Sequence, residues 1–90
     1  MIRDRTNQPD PEALALSALG WVLADDARAQ RLLALTGLTP DDLRERLGAA
    51  SVQAAILGFL EAHEPDLLAC AEALEVAPAS LVDARRELER

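Results

Sequence analysis

The chain has no lysine and no tyrosine, and only one cysteine, one histidine, one methionine, one tryptophan and one phenylalanine among its 90 residues. Each scarcity removes a class of chemistry. A single cysteine, Cys70, has no internal disulfide partner, which fits a reducing cytoplasm. One thiol and one imidazole are too few for a transition-metal site of the usual Cys/His type. Only four scattered glycines are present, and no glycine-rich phosphate loop is among them. No apolar run reaches the ~18 residues a membrane span needs. The opening "MIRDRTNQ" carries arginines but no apolar core, so it does not read as a secretory signal.

What is present is leucine, alanine and acid. Half the residues are apolar, and the formal net charge is -7. Leucine and alanine are strong helix formers, and no stretch alternates in the manner of a strand. A chain of this length folds as one domain. The surface charge keeps such a domain soluble and repels phosphate backbones.

Helix punctuation is frequent. Residues 1–9 are polar and aperiodic, and are expected to form a flexible tail. Asp10 then offers an N-cap and Pro11 a first helical position, so a first helix is predicted from about Pro11 to Ala24. Leu16, Leu19 and Leu23 form one stripe on it, with Leu14, Trp21 and Val22 off the stripe. A helix apolar on most sides is a buried central helix or an oligomer interface, and the central role is the simpler expectation. Asp25 or Asp26 caps a second helix that ends near Thr36, with Gly37 beyond it. Leu32 and Leu35 are expected inward, and Arg28 and Arg31 outward.

"LTGLTPDDLRERL", Leu35 to Leu47, then writes a sharp corner: Thr39 as cap, Pro40 at the first position, Leu43 and Leu47 as anchors, Gly48 as the stop. Ser51 is the expected cap of a fourth helix with a clean stripe of Val52, Ala55, Ile56, Phe59 and Leu60. A fifth helix is predicted from about Pro65 to Leu74, with Leu67, Cys70, Ala71 and Leu74 inward. A sixth starts at Pro78 and carries Leu81, Val82 and Leu88. The expected fold is all-α: a single domain over residues 10–90, an orthogonal array of five or six short helices.

Two corners invite a helix-turn-helix reading. In "CAEALEVAPASLVDARREL", Cys70 to Leu88, small Ala71 and apolar Leu74, Val76 and Leu81 suit two helices crossing closely. Glu75 stands where glycine is usual. The would-be reading helix, Pro78 to Arg90, balances three acids against three arginines. In the first corner the reading helix would open with Asp41 and Asp42, aimed at phosphates. Nucleic-acid binding requires cations that displace counterions, so these charges argue against it.

Catalysis finds no constellation. On one helix His63 and Cys70, seven residues apart, lie ~10.5 Å apart along the axis, whereas a nucleophile and its base need ~3.2 Å. The acids of "DLLACAEALE" lack the alternation and central glycine of a calcium loop. No residue is therefore assigned as catalytic, cofactor-binding or metal-ligating, no cofactor is expected, and the chain is not read as an enzyme.

"PEALALSALGWVLADDARAQRLLALTGLTPDDLRERL" resembles the opening of a bacterial domain-of-unknown-function family of small acidic helical proteins from alphaproteobacteria. The resemblance runs from about Pro9 to Ala84. It is carried by the leucine-rich first helix with Trp21, the segment Asp25 to Arg31, "LLALTGLTPDDL", and the later "FLEAHEPDLLACAEALEVAP". It implies a single helical domain and brings no activity, cofactor or site residue. The sequence thus points to a non-enzymatic cytoplasmic protein-interaction module with a protein partner and no membrane association, as a monomer or weak homodimer. A helix-turn-helix-like nucleic-acid-binding regulator is the alternative. The placement of the arginines discriminates: a contiguous patch favours nucleic acid, and an apolar groove in an acidic surface favours protein.

Overall fold

The structure is a computed structural model and describes residues 10–90. The predicted tail, residues 1–9, lies outside the described residues. Among the described residues there are six helices and no strand: α1 Pro11–Leu23, α2 Asp26–Thr36, α3 Pro40–Glu45, α4 Ala50–Glu61, α5 Glu64–Leu74 and α6 Pro78–Leu88. They share one core.

The helix starts follow the sequence punctuation. Asp10 accepts from Ala13 N–H at 3.1 Å and Asp25 from Arg28 N–H at 2.9 Å, each satisfying an orphan donor of a first turn. Thr39 and Asp42 form a reciprocal capping box: Thr39 Oγ1 accepts from Asp42 N–H, and the Asp42 carboxylate accepts from Thr39 N–H, both at 3.0 Å. Gly37 ends α2 at φ 79°, where its N–H donates to Leu33 O. α4 departs from expectation. It begins at Ala50 with Ala49 as its N-cap, and no side chain caps it, so Ser51 is not the cap. α3 ends at Glu45 with Arg46 as its C-cap, two residues before Gly48.

The central helix is α4, not α1. Val52, Gln53, Ala54, Ile56, Leu57, Phe59 and Leu60 are all buried, and α4 packs against α1, α2, α5 and α6. Of the expected stripe of Val52, Ala55, Ile56, Phe59 and Leu60, all but half-buried Ala55 are buried, and Ala54 and Leu57 bury other sides as well. Gln53 is the one buried polar residue among those described, and its Nε2 donates to Leu47 O at 2.6 Å. That bond ties the α3–α4 link to the core and removes a desolvation penalty of about 1–3 kcal/mol.

α1 buries Leu14, Ala15, Ala18, Leu19 and Val22. The predicted stripe of Leu16, Leu19 and Leu23 is therefore split: Leu19 faces the core, while Leu16 and Leu23 face solvent. The physical reason is that a helix with leucine or alanine at nearly every position has no unique apolar direction. Packing against α4 and α6 selects the face. α6 buries Leu81 and Ala84 there.

An apolar groove between α2 and α4

α2 was expected to bury Leu32 and Leu35 together. Leu32 is buried, but Leu35 is 72% exposed, the most exposed of the large apolar side chains described. It stands on the wall of a groove of about 420 Å³. Arg31, Leu35 and Thr36 of α2 form one side. Ala55, Gly58 and Phe59 of α4, with Ala62 and His63 just beyond, form the other. Positions 55, 58, 59 and 62 are spaced i, i+3, i+4, i+7, so they are one helix face. Phe59 is surrounded along that face by residues with little or no side chain, which makes the channel.

Gly58 is the notable member of that face. A Cβ there would meet only Arg85 Cδ, at 3.6 Å, an ordinary van der Waals contact. Alanine would fit and would favour the helix by about 1 kcal/mol. The monomer's own packing thus gives no reason for glycine at the floor of the groove.

The charges around the groove are internally paired. Arg31 Nη2 lies 2.5 Å from the Asp66 carboxylate and joins α2 to α5. Beyond Gly58, Arg85 holds Glu61 through Nε and through Nη2, the latter at 3.3 Å, and donates to Glu89 at 2.6 Å through Nη1. Both carboxylates hold the Arg85 guanidinium above its already high ordinary pKa, the Glu61 hydrogen bonds contributing most. Thr36 Oγ1 donates to Leu32 O at 2.6 Å and accepts from Leu38 N–H at 3.1 Å. The groove thus presents apolar surface with satisfied polar groups at its edges.

A family model described as "Protein of unknown function (DUF3572)" matches residues 8–90. The chain belongs to the DUF3572 family. No curated protein and no solved structure matches it. DUF3572 membership therefore agrees with the resemblance read from the sequence and carries no activity with it.

The remaining candidate residues of this DUF3572 chain lie apart. Cys70 is fully buried in α5, and burial pushes its thiol up to about 11. His63 is exposed at the N-cap of the same helix and lines the groove. No group of three or more His, Cys, Asp or Glu side chains suited to a metal ion occurs among the described residues. No described helix is long and apolar enough to cross a membrane.

The α5–α6 corner is a tight left-handed turn. Glu75 sits in the left-handed region at φ 61°, where Val76 N–H donates to Ala71 O and Glu75 N–H to Glu72 O. These are the two bonds of a Schellman cap. Most of the arginines among the described residues, however, are engaged by local carboxylates. Arg44 pairs with Asp41, Arg46 with Asp42, Arg85 with Glu61 and Glu89, and Arg90 with Glu87. On the outward side of α6, Asp83 and Glu87 flank Arg86. Arg28, expected outward, instead lies over the Trp21 ring. Local carboxylates and the indole face outcompete solvent for these guanidinium groups.

Sequence reasoning missed the groove. Its only signals were the small residues Ala55, Gly58 and Ala62 on one side of α4. These read as ordinary spacers until α2 is seen to leave that side open.

Proposed function

We propose that this protein is a non-enzymatic interaction module of the cytoplasm whose α2–α4 groove receives a bulky apolar side chain from a helical protein partner. The observation that carries the proposal is Leu35, a leucine left largely in water on the wall of an apolar channel floored by Phe59 and Gly58. Amphipathic helices dock into channels of this kind through anchors at i, i+3 or i+4. Gly58 supports the reading because it sacrifices helix propensity at a position where alanine fits. The arginines beside the groove, Arg31 and Arg85, are already held by Asp66, Glu61 and Glu89, which favours apolar contact over charge-driven capture.

The test is affinity capture from native cells with wild-type protein, Leu35→Asp and Gly58→Leu side by side. A partner retained by wild type and lost with both variants supports the groove. A partner held equally by all three places the contact elsewhere. The nucleic-acid alternative rests on the left-handed turn at Glu75 alone, against arginines that, among the described residues, are mostly paired. Anisotropy titration with mixed-sequence duplex at ~150 mM salt decides it; submicromolar binding that weakens steeply with salt favours nucleic acid.

A further inference from the structure

The six helices are not equally anchored. α1, α4, α5 and α6 each pack against all three of the others, which makes a closed four-helix body. α2 packs mainly against α1 and α4, and α3 packs on no helix to a comparable extent. Between Asp26 and Arg46 a single residue, Leu32, is buried, whereas α1 buries five residues and α4 seven. Leu38 and Leu43 reach the core but are only partly buried. Two side-chain pairs tie the segment to other helices: Arg28 with Trp21 of α1, and Arg31 with Asp66 of α5. The first lies close to the start of the segment. The second is solvent-accessible, and such pairs hold weakly.

The segment's polar contacts run mostly within itself. Thr36 Oγ1 accepts from Leu38 N–H, and Thr39 and Asp42 cap one another. Arg44 pairs with Asp41, and Arg46 with Asp42. These bonds fasten α2 to α3, so the two helices are one piece. Each end of the piece is a short non-helical link. At the first, Ala24 N–H donates to Trp21 O and Asp25 N–H to Val22 O, both at a long 3.3 Å. At the second, Arg46 has left helical geometry, with φ -122° and ψ 21°. The next carbonyl, Leu47 O, is fixed to α4 by Gln53. The pivot therefore falls just before it.

We infer that α2 and α3 form a hinged flap that opens as one unit, withdrawing Leu32 from the core while α1, α4, α5 and α6 stay folded. Few buried apolar contacts and mostly local hydrogen bonds are the marks of such a low-stability unit. The flap carries one wall of the groove, Arg31, Leu35 and Thr36, whereas Phe59 stays behind on α4. The channel therefore exists only while the flap is closed. Its opening regulates the proposed partner site, a consequence that rests on the groove reading; the opening itself does not.

Native-state hydrogen exchange of the full chain, followed residue by residue across sub-denaturing urea, tests this. After correction for intrinsic rates, the α2 amides from Ala29 to Gly37 should share one opening, at least ~30-fold more populated than that of the α4 amides. Its urea slope should be less than about half the global one, because only part of the chain is exposed. Leu43 and Arg46 of the α3 end should exchange no more slowly than α2. Ala84→Gly, in the body that stays folded, should speed α4 exchange at least ~5-fold and leave α2 exchange unchanged. Leu35→Gln alters an exposed side chain of the groove wall and should leave the opening within about 2-fold of wild type. One exchange free energy and one urea slope for α2 and α4 would overturn the inference. So would α2 rates graded residue by residue from the helix ends, or α2 and α4 rates raised equally by Ala84→Gly. A partner lost with Leu35→Asp beside such globally cooperative exchange would leave the groove and remove the flap.

Discussion

Arg28 lies flat against Trp21: its guanidinium carbon is 3.7 Å from the ring centroid, and its Nη2 donates to Trp21 O at 2.5 Å. The contact locks the C-terminal turn of α1 to the first turn of α2. Trp21 is only partly buried, so the guanidinium completes its cover where the core does not. Arg28 Nε is buried without a partner, which offsets part of the gain.

Arg28→Ala is expected to lower stability by about 1–3 kcal/mol, combining a partly desolvated cation–π contact with one hydrogen bond. Chemical denaturation measures it. Tryptophan emission should also shift to the red as water reaches the ring. Loss of less than about 0.5 kcal/mol with unchanged emission would show the contact to be incidental.

Glu75 is the one non-glycine residue with positive φ among those described. Left-handed backbone disfavours any Cβ by roughly 1–2 kcal/mol, while glycine gives back part of that through its freer unfolded chain. Glu75→Gly should therefore raise stability by about 0.5–1 kcal/mol, seen as a higher melting temperature. A lower one would mean that the Glu75 side chain contributes an interaction outweighing the strain.

How much of this was legible in the sequence differs from element to element. Caps and corners were, because each depends on two or three local residues: Asp10 with Pro11, Gly37, and Thr39 with Pro40 all act as their types dictate. The choice of buried face was not. In α1 nearly every direction is apolar, so Leu16 and Leu23 are indistinguishable from Leu14 and Leu19 without the neighbouring helices. Leu35 was misjudged for a related reason, since its periodicity is that of a core residue and only the opening beside Phe59 exposes it. Arg28 was misjudged because its partner, Trp21, lies on a different helix.

The corner at Thr39 makes a pH-dependent contribution whose sign is fixed. Backbone hydrogen bonding at Thr39 holds the Asp42 carboxyl below its ordinary value of 3.8; desolvation opposes it, and the Thr39 hydroxyl and Arg46 lower it further. A depressed acid stabilises the fold fully above the unfolded value and loses that contribution as pH falls through the folded one. Wild type and Asp42→Asn should thus differ in melting temperature at pH 7 and converge below pH 3.8. Thr39→Ala should lower stability by about 0.5–2 kcal/mol at neutral pH. A difference between wild type and Asp42→Asn that persists undiminished at low pH would contradict the assignment.

The central claim is that the channel between α2 and α4 is where another protein binds. A photo-crosslinking amino acid placed at Leu35, with one at Asp83 on the outward side of α6 as the control, tests it in native cells. The account expects a discrete adduct from position 35, absent from position 83 and suppressed by Gly58→Leu in the same chain. Adducts from position 83 but not 35, or a position-35 adduct indifferent to Gly58→Leu, would contradict it.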